Sequence, residues 1–137
     1  MSRKIKKSKI ASPTTAIKKK SIVPECISFS FKYLDNEKFG YSREDNYFKA
    51  FLERLCAISQ MTTKELINSN SKAIRSHPVN WLETNIKVGF SHLGDELQSE
   101  TAWQFSISSN KYGRVFGFMI DTVFYIVWLD HQHLVFS

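Results

Sequence analysis

The sequence has little of what the common catalytic templates need. Its five glycines are scattered singly, so there is no dinucleotide-binding pattern and no P-loop, and GxSxG and HExxH are absent too. No apolar run approaches the roughly 20 residues that span a bilayer, and no apolar core follows the early lysines as in a secretory signal. A cytoplasmic protein without membrane contact is expected. The two cysteines, Cys26 and Cys56, lack CxxC or Cys/His spacing. They fall in apolar surroundings in a candidate strand and helix, and are expected as buried thiols of a reducing compartment.

Acidic residues are missing from the first 20 positions, which carry eight positive charges: Arg3, Lys4, Lys6, Lys7, Lys9, Lys18, Lys19 and Lys20. The remaining positions hold 11 Lys/Arg against 13 Asp/Glu, a net of −2, so the overall +6 belongs to this arm. A run of this kind binds nucleic acid by neutralising phosphates, or simply solubilises the chain. Residues 1–24 are expected to be a disordered arm ending at Pro24, and residues 25–137 a single domain. What is present in quantity is apolar: 42% hydrophobic and 14% aromatic residues, enough for a real core.

Ile27, Phe29, Phe31 and Tyr33 alternate with polar residues and predict a first strand. Ser42 followed by Asp45 gives an approximate capping box, and Tyr47, Phe48, Phe51, Leu52, Leu55 and Cys56 form the stripe of a helix packed on a sheet. Thr62 and Glu65 form a second capping box for a short helix that Asn68 to Ser71 breaks. Residues 72–101 read as irregular, with a short strand at Ile86 to Phe90. Trp103, Phe105 and Ile107 then alternate with Gln104, Ser106 and Ser108 as a half-buried strand. Arg114 to Ile120 and Val123 to Leu129 are two strands of a hairpin turning at Asp121-Thr122. The expected fold is α+β: one antiparallel sheet of about four strands with two helices packed on it.

The hairpin sets Arg114, at the start of one strand, near Asp130, His131 and His133, at the end of the next. Cleavage of RNA by its own 2′-hydroxyl needs a base, a cation for the phosphate and an acid for the leaving 5′-oxygen. Arginine suits phosphate and histidine suits proton transfer near neutral pH. Arg114, Asp130, His131 and His133 are therefore the candidate catalytic residues, with Lys111, Tyr112, Arg75 and His77 as candidate substrate contacts. The same residues also read blandly, as a surface salt bridge from Arg114 to Asp130 and solvated histidines. His131-x-His133 on an extended segment would present two imidazoles to a metal, but no third ligand lies nearby in sequence. No metal or cofactor is expected.

A basic strand–helix–helix opening, then three antiparallel strands with arginine on the middle one and histidine near the end, resembles the RelE/YoeB/HigB group of bacterial toxins. The matching stretch is residues 103–137. Trp103 to Ile107 stands for the strand leading into the cleft, Arg114 to Phe118 for the arginine-bearing strand, and Val123 to His133 for the last strand with its histidine. The resemblance implies a RelE-like fold and metal-independent mRNA cleavage, with RNA, free or on the ribosome, and a cognate antitoxin protein as partners. The chain departs from that group in three ways. It is longer, its body is slightly acidic, and Phe136 stands where some members end in a tyrosine. The alternative is a non-catalytic nucleic-acid- or protein-binding module tethered by its basic arm.

Overall fold

The computed structural model describes residues 25–35, 37–109 and 111–136. The candidate arm, Arg3 to Lys20 included, lies outside them. The chain is α+β, built on one mixed five-stranded sheet in the order β1-β5-β4-β3-β2. In chain order the elements are β1 (Ser28–Ser30), α1 (Tyr47–Ile58), α2 (Thr63–Ile67), β2 (His77–Pro78), a 3-10 turn (Trp81–Glu83), α3 (Asp95–Gln98), β3 (Ala102–Ser106), β4 (Arg114–Ile120) and β5 (Val123–Asp130).

The β3–β4–β5 meander is antiparallel as expected, and Asp121 takes the left-handed conformation at its turn (φ 54°). The wholly antiparallel sheet of about four strands is corrected on two counts. β1 pairs in parallel with β5, Ser28 opposite Val123. A fifth strand, β2, joins the other edge, with His77 opposite Gln104, so His77 lies in a strand and not in a loop. The first strand is also shorter than its alternation suggests. Pairing runs only from Ser28 to Ser30, after which the amide of Leu34 bonds back to Phe31 in a turn.

α1 rests on one face of the sheet through Tyr47, Phe51, Leu55 and Ile58. Its stripe is narrower than the spacing predicts, since Phe48 and Leu52 are exposed. The helix also starts later: Asn46 is the N-cap, in the left-handed region, while Ser42 Oγ accepts from the amide of Glu44 in the preceding turn. α2 begins with the capping box read from sequence. Thr62 accepts from the Glu65 amide, and the Glu65 carboxylate accepts from the Thr62 amide. Both cysteines are exposed, which overturns the buried-thiol expectation: Cys26 precedes the sheet and Cys56 sits on the outer face of α1.

The opposite face is covered as well, by the segment 79–98 and by residues 134–136. Trp128, Phe116 and Phe118 on that face meet Trp81, Phe90 and Val135 in a second core, with the Phe90 and Trp128 rings 4.9 Å apart. No strand forms at Ile86 to Phe90; that segment contributes Ile86 and Phe90 to this cover instead. Hence β3 is not half-buried. Gln104 and Ser106, polar and outward-facing by pattern, are buried beneath the second layer. No helix among the described residues is long and apolar enough to cross a membrane.

Two glycines are fixed by close backbone approach. At Gly117, beside the bulge where register shifts between β4 and β5, a Cβ would meet the carbonyl oxygen of Tyr125. At Gly113, with φ +75°, it would meet the carbonyl oxygen of Asp130 and lie 2.6 Å from the His131 Cα. Gly113→Ala should therefore combine left-handed strain with a backbone clash. A loss of about 2 kcal/mol, seen as a fall of ~8 °C in Tm by thermal unfolding, is the expected outcome.

Candidate anion site at the open end of the sheet

The register places Arg114 directly opposite Asp130 on β5 and opposite Ser106 on β3, so the three side chains start from one rung on one face. They do not converge. The Asp130 side chain is buried and both of its oxygens are occupied: Oδ1 accepts from the amide of Leu134 and Oδ2 from that of Val135, each at 2.9 Å. A carboxylate held by two backbone amides is a strong structural clamp. It folds residues 131–136 back over the second core, where the amide of Asn85 bonds the carbonyl of Val135.

With Asp130 turned away, Arg114 makes no ion pair among the described residues. Its Nη1 donates to Gln104 Oε1 at 2.6 Å, across the sheet. The guanidinium is half-buried. Burial lowers its pKa, nearby Arg75 lowers it further, and Asp130 acts in the opposite direction. Arginine stays charged regardless. The arrangement is thus a partly desolvated cation beside a second cation, with a neutral amide as its direct partner. The salt bridge to Asp130 read from sequence is not formed.

Arg75, in the segment before β2, and His77, the first residue of β2, reach this neighbourhood. Arg75 itself is left-handed (φ 49°) and its Nε donates to the Lys72 carbonyl. Arg54, which the sequence reading passed over as part of a helix, holds this segment in place. Its Nε donates to the carbonyls of Ser106 and Ile107, and Nη2 to that of Ala73. Its place between Phe51 and Ile58, at the spacing of the apolar stripe, is the only hint of this in the sequence. Arg54 also lines a shallow cavity of about 200 Å³ with Glu53 and Ser108.

The remaining sequence candidates make their contacts elsewhere. His131 packs edge-on against the Tyr47 ring, at 6.4 Å between centroids. His133 is exposed and left-handed (φ 58°). Residues 131–133 therefore form a turn, not the extended segment that a His-x-His metal pair requires. Among the described residues no cluster of three or more His, Cys, Asp or Glu could hold a metal. Tyr112 turns inward, edge-on to Tyr47, and its hydroxyl donates to the Asp45 carbonyl, while Lys111 lies over its ring. Of the eight residues singled out, the fold brings together Arg75, His77, Arg114 and the backbone of Asp130. It adds Gln104, whose amide only a knowledge of β2 and of the second layer would have placed inside.

No protein-family model, no curated protein and no solved structure matches the chain. Function has to be argued from this site.

Two measurements check the geometry. Asp130→Ala orphans two backbone amides, that of Val135 buried and that of Leu134 partly so, and should cost about 3 kcal/mol in urea unfolding. Tyr47, fully buried with no partner for its hydroxyl, has its pKa pushed up to about 12 by burial and by the charge of Asp130. The folded state thus holds that proton more tightly than the unfolded chain. The stability it confers is intact below pH 10 and should fall by about 2 kcal/mol as pH rises towards 12. Tyr47→Phe should flatten that alkaline loss.

Proposed function

We propose that the protein binds RNA at Arg114 and cleaves it without a metal, as a RelE-like endoribonuclease toxin. The observation that carries the reading is the half-buried Arg114 guanidinium, unpaired with any carboxylate and next to Arg75. A cation kept in that state is suited to an anion with planar oxygens, and phosphate is the commonest such group. The element order gives further support: a strand, two helices, then an antiparallel meander with this arginine on its middle strand.

In the proposed reaction the 2′-oxygen of one nucleotide attacks the adjacent phosphorus. Its proton leaves to a base, and the P–O5′ bond breaks as the 5′-oxygen takes up a proton. A cyclic 2′,3′-phosphate and a 5′-hydroxyl result. Arg114 and Arg75 would stabilise charge on the non-bridging oxygens. His77, whose strand neighbour Gln104 binds Arg114, is the imidazole assigned proton transfer, while His131 packs against Tyr47 instead. Asp130 is assigned no proton transfer, because its oxygens are engaged by Leu134 and Val135. RNA and a cognate antitoxin are the proposed partners, and the exposed Phe31, Tyr41, Phe48 and Leu52 offer apolar surface for a protein to cover.

The same commitment of Asp130 favours a second reading, in which the site binds RNA phosphate and cuts nothing. Expression in bacteria separates the two. The unaltered chain should arrest growth, and Arg114→Ala should relieve the arrest and lower RNA cleavage about 100-fold, with chelator leaving cleavage unchanged. A harmless unaltered chain sinks the toxin reading. Toxicity undiminished in Arg114→Ala sinks the site assignment.

A further inference from the structure

Among the described residues Gln104 is the side chain hydrogen-bonded to the Arg114 head group, and its burial is complete. Long polar side chains are rarely so deep unless every polar atom is satisfied. Here only half of the amide is: Oε1 accepts from Arg114, while Nε2 is buried and without a partner. The strand pairing explains how the amide came to lie there. Gln104 stands between His77 and Phe116 on adjacent strands, on the face that the second layer covers.

The charge state of that partner matters more than its hydrogen bond. A carboxylate at the same place would sit within 3 Å of a partly desolvated guanidinium and neutralise it, leaving nothing for a ligand to pair with. A neutral amide orients the guanidinium yet leaves its charge uncancelled. The unpaired Nε2 lies too deep for a ligand to reach, so the half-satisfied amide is a cost the fold bears to keep a neutral partner on the guanidinium.

We propose that Gln104 is the positioning residue of an anion receptor for a phosphodiester: it fixes the Arg114 fork without cancelling its charge, and Arg75 supplies the second cation. This rests on the reading of Arg114 as a phosphate site, and extends it to a residue whose role is electrostatic neutrality. Asp130 serves the same end from the other side, since its carboxylate is drawn off by the Leu134 and Val135 amides.

The test uses the full chain and a single-stranded 2′-O-methyl oligoribonucleotide, which lacks the attacking hydroxyl, with binding read by fluorescence anisotropy across a salt series. Gln104→Glu should lower affinity about tenfold, like Arg114→Ala, and make the salt slope shallower by about 0.7, the loss of one phosphate contact. Gln104→Met keeps the charge but frees the fork, so affinity should fall about threefold with the slope unchanged. Parent affinity and slope in Gln104→Glu, with Arg114→Ala impaired, overturn the proposal and leave the phosphate site standing. Parent affinity in Arg114→Ala overturns the phosphate site itself. Should Gln104→Glu fail to fold by circular dichroism, Gln104→Met decides: unchanged affinity there overturns the proposal.

Discussion

The carboxylate of Asp130, bound to the amides of Leu134 and Val135, is the interaction on which the rest of this structure turns. It bends the chain back at the end of β5, so that Val135 and Phe136 close the second face of the sheet over Phe116 and Trp128. The same bend removes the only acidic group that β5 sets opposite Arg114. One acid thus does two things at once: it completes a core and leaves a cation unpaired. Neither effect would follow if Asp130 bonded across the rung to Arg114, as charge pairing on neighbouring strands would suggest.

Burial of both sheet faces explains why the aromatic residues are where they are. Phe105 and Phe124 pack 5.3 Å apart beneath α1, while Trp81, Phe90 and Trp128 meet edge to face on the far side. β4 and β5 accordingly read as nearly continuous apolar runs, the pattern of strands covered on both sides. The cover on the far side has little regular structure. It is held by side chains reaching backbone, such as Asn85 to the carbonyl of Leu134 and Lys87 to that of Leu82.

Much of this was legible where the signal is local. The hairpin at Asp121-Thr122, the Arg114–Asp130 rung and the Thr62–Glu65 capping box follow from periodicity and cap chemistry, which involve neighbouring residues. The parallel partner of β1, the strand at His77 and the depth of Gln104 did not follow. Alternation in β3 says which residues share a face, but not whether anything covers it. A glutamine and a serine on the second face look solvated until residues 79–98 are placed over them. The site was half legible for the same reason. Rung geometry put Arg114 beside Asp130, while the direction in which Asp130 spends its hydrogen bonds depends on a turn four residues on.

The parallel pairing of β1 with β5 has a consequence for how the molecule is made. Ser28 to Ser30 are synthesised well before their hydrogen-bonding partners, Val123 to Tyr125. Until Val123 to Tyr125 are made, Phe29 has no sheet to join. The antiparallel meander can form from near neighbours, whereas the edge that receives β1 closes only through contacts distant in sequence, the slow class of folding event. Once β5 is made, the meander can assemble before β1 docks, and in that interval its open edge along β5 is where a chaperone or a second chain could pair.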